Sequence, residues 1–340
     1  MTQYLLALVC WRGTARRRQL LAALLIAAMG GMGGWAQTVQ AQKYPDRPVR
    51  VVNTFPAGGS GDAVLRIVFE KVGTALGQPF VVDTRTGAAG SIGTSNIAAS
   101  PADGYSLLLG TASTFGTNSA TQKNLPYDPV RDFTPIVMIA TTPYLLLAHP
   151  SVPAGTLAEF LAHARSNPGK LNYGSFGLGS SNHLTYELLR QASGIDMVHV
   201  PYKGGAPLIT ALMAGEVQSS MDVYATAYQN VRSGRFKLLG VASAKRFSLI
   251  PDVPTLAEQG FAVAGGTFFA LLGPARLPAN VVEMLNREVN RALALPEVRD
   301  RLAALGAEAV GGSPEMLAAT ISEELQKWAQ LVKARNLKFD

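Results

Sequence analysis

From Val49 onward, short apolar runs alternate with stretches in which apolar residues recur every three or four positions. Val49 to Thr54 reads as a strand and Phe55 to Asp62 as a loop. Val64, Leu65, Val68, Phe69, Val72 and Leu76 then form one face of a helix that Gly77 stops. Phe80 to Asp83 is the next strand, Thr86 to Gly93 a glycine loop, Thr94 to Ala99 a short helix and Tyr105 to Gly110 a third strand. Strand, helix, strand at this spacing predicts right-handed crossovers and a parallel sheet, so the class is α/β.

A turn-rich link, Leu125 to Pro129, leads into Ile136 to Ala140 and Tyr144 to Ala148, an apolar stretch that Pro143 is expected to break. A second alternating run follows: helix Leu157 to Arg165, strand Leu171 to Gly174, helix Leu184 to Ala192, strand Met197 to Pro201, helix Leu208 to Leu212, and strands Ser220 to Tyr224 and Leu238 to Ala242. After a strand at Thr267 to Leu272 the chain reads as helical to its end. Ser313, Pro314 and Glu315 open the last helix as cap, first-turn proline and first-turn acid. These late helices need a sheet to cover. If they return to the first domain, two chain crossings join two domains with a cleft between them; two sequential domains would show the same alternation.

Composition locates the charge. The 340 residues are 48% hydrophobic and 16% charged, with a formal net charge of +7 and one cysteine, so a disulfide scaffold is excluded. Residues 1–41 hold no acid but carry Arg12, Arg16, Arg17 and Arg18, then an apolar run from Leu20 to Met29 and a small-residue tail ending in Ala41. This is the pattern of a secretory signal peptide cleaved after Ala41, with Ala36 as the alternative. A membrane anchor would need ~20 apolar residues, and glycines at 30, 31, 33 and 34 interrupt the run. Without this segment, 26 basic and 23 acidic side chains remain, a net charge of +3, so nucleic-acid binding loses its basis. Cys10 leaves with the same segment, which removes thiolate metal sites and thiol nucleophiles.

Three glycine-rich loops follow strands: Phe55 to Asp62, Gly87 to Gly93 and Tyr173 to His183. Free N–H groups at such strand-to-helix junctions make an anion site, and a carboxylate is the natural guest; alternatively Ser60 or Asp62 simply caps the helix. None of the loops carries the dinucleotide fingerprint, a Walker lysine or a nucleophile elbow. His149, His163, His183 and His199 form no metal-binding spacing, and neither a metal nor a cofactor is expected. His183 could orient its loop or reach a ligand; Lys203 could face an anion or only solvent; Asp222 could receive an ammonium or hold a neighbouring loop. A secreted hydrolase using Ser180 and His183 would lack both an orienting acid and the elbow.

The ordered motifs Tyr44-Pro45-Asp46-Arg47-Pro48, Pro56-Ala57-Gly58-Gly59-Ser60-Gly61-Asp62, Gly87-Ala88-Ala89-Gly90-Ser91-Ile92-Gly93, Tyr173-Gly174-Ser175, His199-Val200-Pro201-Tyr202-Lys203-Gly204 and Pro254-Thr255-Leu256-Ala257-Glu258 together resemble the Bug family. These are periplasmic solute receptors of tripartite tricarboxylate transporters, and the resemblance spans residues 43–340. It implies a type II periplasmic-binding-protein fold. Residues 42–143 with 265–340 would form one domain and 144–264 the other, joined by a two-crossing hinge.

The resemblance also implies a monomer that closes on a small organic carboxylate, such as a di- or tricarboxylate, an amino acid or an aromatic acid. Phe55, Ala57, Gly58, Gly59 and Asp62, with Gly90, Ser91, Ser113 and Thr114, would grip the common carboxylate. Gly177, Ser180, Ser181, His183 and Asp222 would select the ligand. The partners implied are transporter subunits, or alternatively a sensor protein on which the liganded receptor docks. One departure stands out: Gly266-Thr267-Phe268-Phe269 replaces a stretch where such receptors commonly carry Trp, which bears on the hinge or the cleft wall.

Overall fold

A computed structural model of the protein describes residues 44–334 and 336–339; the expected signal peptide, its cleavage sites and Cys10 lie outside the described residues. Val49–Asn53 (β1) pairs in parallel with Phe80–Thr84 (β2) and Ser106–Thr111 (β3). Between β1 and β2 runs Ser60–Leu76 (α1), which buries Val64, Leu65, Val68, Phe69 and Val72 as the spacing predicts. Its C-cap Gly77 takes φ 70°, a left-handed conformation that costs glycine little. Ser91–Ala98 (α2) links β2 to β3.

Phe133–Ala148 (β4) is a single strand of 16 residues, so Pro143 does not break it. Up to Pro143 its antiparallel neighbour is Gly266–Pro274 (β9); from Tyr144 onward its neighbours are Ser219–Val223 (β7) and Lys237–Ala242 (β8). The proline, which has no N–H to donate, thus sits where the strand changes partners. The chain returns at the same level, where Tyr144 N–H donates to Gly265 O and Gly265 N–H donates to Ala242 O.

Beyond β7 lie Asn172–Ser175 (β5) and Val198–Pro201 (β6), both joined in parallel. The strand order is β2-β1-β3-β9-β4-β7-β5-β6. The sheet is therefore mixed, with parallel pairs toward both edges and antiparallel strands in the middle. Glu308–Gly311 (β10), in a stretch expected to be wholly helical, adds antiparallel to β4.

Leu157–Ser166 (α3), Ser181–Ser193 (α4), Gly205–Ala214 (α5) and Tyr224–Arg232 (α6) belong to the β5–β8 half. After β9, Ala279–Ala294 (α7) packs on α1, and Pro314–Ala334 (α9), which follows Pro296–Ala304 (α8), packs on β4. Leu317 and Ile321 enter the core built by Val52, Leu108, Phe115 and Leu272. Burying each is worth about 1.5–3 kcal/mol, enough to fix the return of the tail to the first half. No helix among the described residues is long and apolar enough to cross a membrane.

Candidate functional site

The ends of β1, β3 and β7 and the starts of α1 and α5 surround a cavity. From the β1–β3 half it is lined by Asn53, Phe55, Gly59, Ser60, Gly61, Leu109, Thr111 and Ser113, with Thr267 and Phe269 from β9; Tyr144, Phe176, Gly205, Asp222 and Thr226 face them from the other half. Among the described residues, no lysine, arginine or histidine lines it. The N-caps of α1 and α5 are Gly59 and Gly204, neither of which offers a capping side chain. Among the described residues, no protein acceptor meets the N–H groups of Ser60 and Gly61. Free first-turn donors and the positive end of a helix dipole, equivalent to roughly half a charge, together suit an anion.

Two buried side chains in the cavity wall have unmet hydrogen-bonding capacity. Asn53 is 1% exposed; its Oδ1 accepts Phe55 N–H at 3.2 Å, while Nδ2 has no partner. Asp222 is fully buried; its Oδ1 accepts Val223 N–H and Thr226 O–H, both at 2.7 Å, while Oδ2 has none. Burial pushes the Asp222 carboxyl up to about 7, against the lowering effect of those two bonds. Phe176 sets its ring edgewise to Phe55 at 6.4 Å and to Tyr144 at 6.1 Å.

Phe55 and Phe176 also line a second, outer cavity, with Thr54, Gly87 to Gly90, Gly177, Tyr202 and Lys203. The halves touch around both spaces. Ser181 N–H donates to Ser113 Oγ at 3.1 Å, the two serine hydroxyls lie 3.1 Å apart, and Thr121 O–H donates to Gly179 O at 3.4 Å.

Of the residues singled out in the sequence, Phe55, Gly59, Ser113 and Asp222 line the inner cavity, and Gly90 and Gly177 the outer one. Gly58 N–H points to Asp62 Oδ2, which also receives Arg66 Nε, so Asp62 braces the first loop. Ser91 O–H donates to Gln122 and accepts from Asn118, and Thr114 Oγ1 accepts Thr111 N–H. Ser180 Oγ lies within hydrogen-bond reach of Gly177 O and Asn182 Oδ1. Ala57 lines neither space. Reading the residues alone misses Asn53, Tyr144, Phe176 and Thr226. Only Asn53, a polar residue closing an apolar strand, carried a local signal. The Thr267–Phe269 departure falls on the inner cavity wall.

His183 sits beneath the loop, with Nδ1 accepting Gly179 N–H at 3.0 Å and Nε2 lying 3.9 Å from Glu187. Nδ1 is thus engaged, and among the described residues Ser180 Oγ is bonded to Gly177 O and Asn182 Oδ1, not to His183. The ring stacks on His199 at 3.8 Å, and His199 Nε2 is 2.7 Å from Ser175 Oγ. Burial, then His199 and Arg190, hold His183 down to about 2; burial, then Arg190, holds His199 down to about 4. In the unfolded chain both would titrate near ~6.5. The unfolded state therefore takes up protons first, and the stability from this neutral pair is complete above about pH 6.5 and lost as pH falls, to about 4 for the share of His199 and on toward about 2 for that of His183. Melting followed by circular dichroism should fall through this window, and His199→Gln should fall less. Superimposable curves would show that the pair does not set acid stability.

The receptor pattern of the tripartite tricarboxylate transporter family, TctC, matches residues 64–337. The "UPF0065 protein in tcbD-tcbE intergenic region" of Pseudomonas sp. (strain P51) is 37% identical over 320 residues, covering 93% of this chain and 94% of that protein. Among solved structures, R. palustris Rpa4515 with adipate has a TM-score of 0.83 at 34% identity, covering 85% of this chain and 97% of that one. MatC (Rpa3494) from Rhodopseudomonas palustris with bound malate has a TM-score of 0.81 at 33% identity, covering 85% of this chain and all of that one, 100%. With α/β halves sharing one long strand and a family pattern over most of its length, the chain belongs to the TctC family of tripartite tricarboxylate transporter receptors and has the periplasmic-binding-protein fold that its sequence resembles.

Proposed function

We propose that the protein is a periplasmic receptor that closes residues 42–143 with 265–340, and 144–264, around a small organic carboxylate. It acts as a monomer, performs no chemistry and delivers the ligand to membrane subunits of the tripartite tricarboxylate type. The observation that carries this reading is the inner cavity, where glycine-capped helix N-termini from both halves open onto a buried space without a cationic side chain among the described residues. Charge is then met by main-chain N–H groups, which suits one carboxylate and leaves the rest of the ligand to the facing wall. Phe55, Gly59 and Ser113 act on one side and Asp222 on the other. Ala57, Gly58, Asp62, Gly90, Ser91, Thr114, Gly177, Ser180, Ser181 and His183 shape and hold the loops. The adipate and malate bound by two relatives support a carboxylate of similar size.

Thermal-shift screening of the exported form against mono-, di- and tricarboxylates, amino acids and aromatic acids tests it. A ligand at about 100 times its Kd adds about 2.7 kcal/mol and should raise the melting temperature by several degrees. If no compound shifts it and small-angle scattering shows no contraction, the receptor reading fails.

A further inference from the structure

The unmet groups of the inner cavity come from the two halves of the molecule and have opposite needs. A Cβ placed on Gly61 would stand 3.4 Å from Asn53 Oδ1 and 3.7 Å from Phe269, so the Asn53 amide lies beside the first turn of α1. A Cβ on Gly205 would stand 3.7 Å from Asp222 Oδ1 and 3.5 Å from the Phe176 ring, so Asp222 lies beside the start of α5. Asn53 Nδ2 is a donor without an acceptor, and Asp222 Oδ2 an acceptor without a donor. Leaving either unpaired in a buried wall is unfavourable, and a ligand group of the right kind would relieve it.

We infer that the preferred ligand is a zwitterion of the amino-acid type, with its carboxylate at Asn53 and its ammonium at Asp222. The inference rests on the receptor reading and narrows it. At the first, Asn53 Nδ2 and the N–H groups of Ser60 and Gly61 are all donors, which complements a carboxylate. At the second, no lysine or arginine among the described residues lines the cavity to neutralise Asp222, so a cation there has to come from the ligand. Phe55, Leu109, Tyr144 and Phe176 supply apolar surface around the ligand body. A plain dicarboxylate would set a second negative charge against Asp222 and would have to carry a proton in with it.

Titration calorimetry at about pH 8 with matched pairs tests this. The pairs are 5-aminopentanoate against adipate, 4-aminobutyrate against glutarate, and leucine against 4-methylpentanoate. Within each, the members differ in the group offered to Asp222. In at least one pair the amino compound should bind about ten-fold tighter or better, as a charge-assisted hydrogen bond supplies. Asp222→Asn, which keeps shape and removes charge, should abolish that preference. Tighter binding of the acid without the amine in every pair, or a preference that survives Asp222→Asn, overturns the inference and leaves the receptor reading standing. No binding by any member overturns the inference; a silent screen of the wider panel would overturn the receptor reading as well. If Asp222→Asn fails to fold, the preference of the native protein within the pairs decides alone.

Discussion

Ligand-free Asp222→Asn is expected to melt several degrees above the native protein near pH 8, and to lose that advantage as the pH falls toward 4. Asp222 is fully buried at the end of β7, and among the described residues no lysine, arginine or histidine lines its cavity to offset its charge; its polar neighbours there include Tyr144 and Thr226. Burial lifts its carboxyl to about 7, against ~3.9 in an unfolded chain. With the folded value the higher one, the folded protein keeps a proton that the unfolded chain has released. Stability is then greatest below the unfolded value and declines as pH rises through the window up to about 7. At 1.36 kcal/mol per unit the full penalty near pH 8 is on the order of 2–4 kcal/mol once some relaxation is allowed. Asparagine retains an Oδ1 for Val223 N–H and Thr226 O–H while shedding the charge. Calorimetric melting of both proteins between about pH 4 and 8 gives a difference curve that should climb and then level off above 7. A flat difference would mean that the carboxyl is solvated in the ligand-free protein, and the demand for a ligand donor would fall with it. The same substitution should weaken an amino-bearing ligand, so the native residue holds function at the expense of stability.

The α/β alternation was legible because each element wrote its period into the chain: the α1 stripe from Val64 to Val72 reappears intact on the buried face. Three features escaped for physical reasons. β4 runs through Pro143 because its hydrogen bonds pass from β9 to β7 and β8 at that level, and only tertiary pairing tells such a proline from a breaker. β10 is four residues, Glu-Ala-Val-Gly, too few for a period to show. α6 places Tyr224, Ala227, Tyr228 and Val231 at helical spacing, but only Ala227 is fully buried and two of the others are tyrosines, so its stripe is short and weakly apolar.

The site divides in the same way. Anion-binding loops are local objects, and glycines at strand ends announced Gly59, Gly90 and Gly177. Phe55 and Phe176 are 121 positions apart in the sequence and meet edge to edge only because the sheet brings the two halves face to face. The resemblance to a known family, not any local pattern, supplied Ser113. The unpartnered oxygen of Asp222 became visible only when every neighbour had been placed.

Gly204→Ala should weaken every ligand of the panel by about 100-fold or more, equivalent to about 3 kcal/mol, by obstructing closure. Gly204 precedes α5 with φ 112° and ψ −173°, a region essentially confined to glycine. It faces the other half of the molecule: a Cβ there would lie 2.6 Å from Pro56 Cδ and 3.3 Å from the Phe55 ring. Pro56 belongs to the loop that presents α1 to the cavity, and its ring has little freedom to withdraw. The substitution therefore carries two costs of different origin, local strain of about 1–3 kcal/mol in any state and a clash specific to the closed state. Gly194→Ala separates them. Gly194 caps α4 with φ 68°, so alanine is strained there too, yet a Cβ at that position meets nothing within 4 Å. Both variants should lose stability when empty, about 1 kcal/mol for Gly194→Ala, but only Gly204→Ala should lose affinity and the ligand-induced fall in radius of gyration. Equal affinities for the two variants would mean that binding does not bring Gly204 onto Pro56, and the closing-cleft mechanism would have to be given up. If instead Gly204→Ala is open with and without ligand while Gly194→Ala contracts normally, the two halves move as separate bodies about the strand that they share.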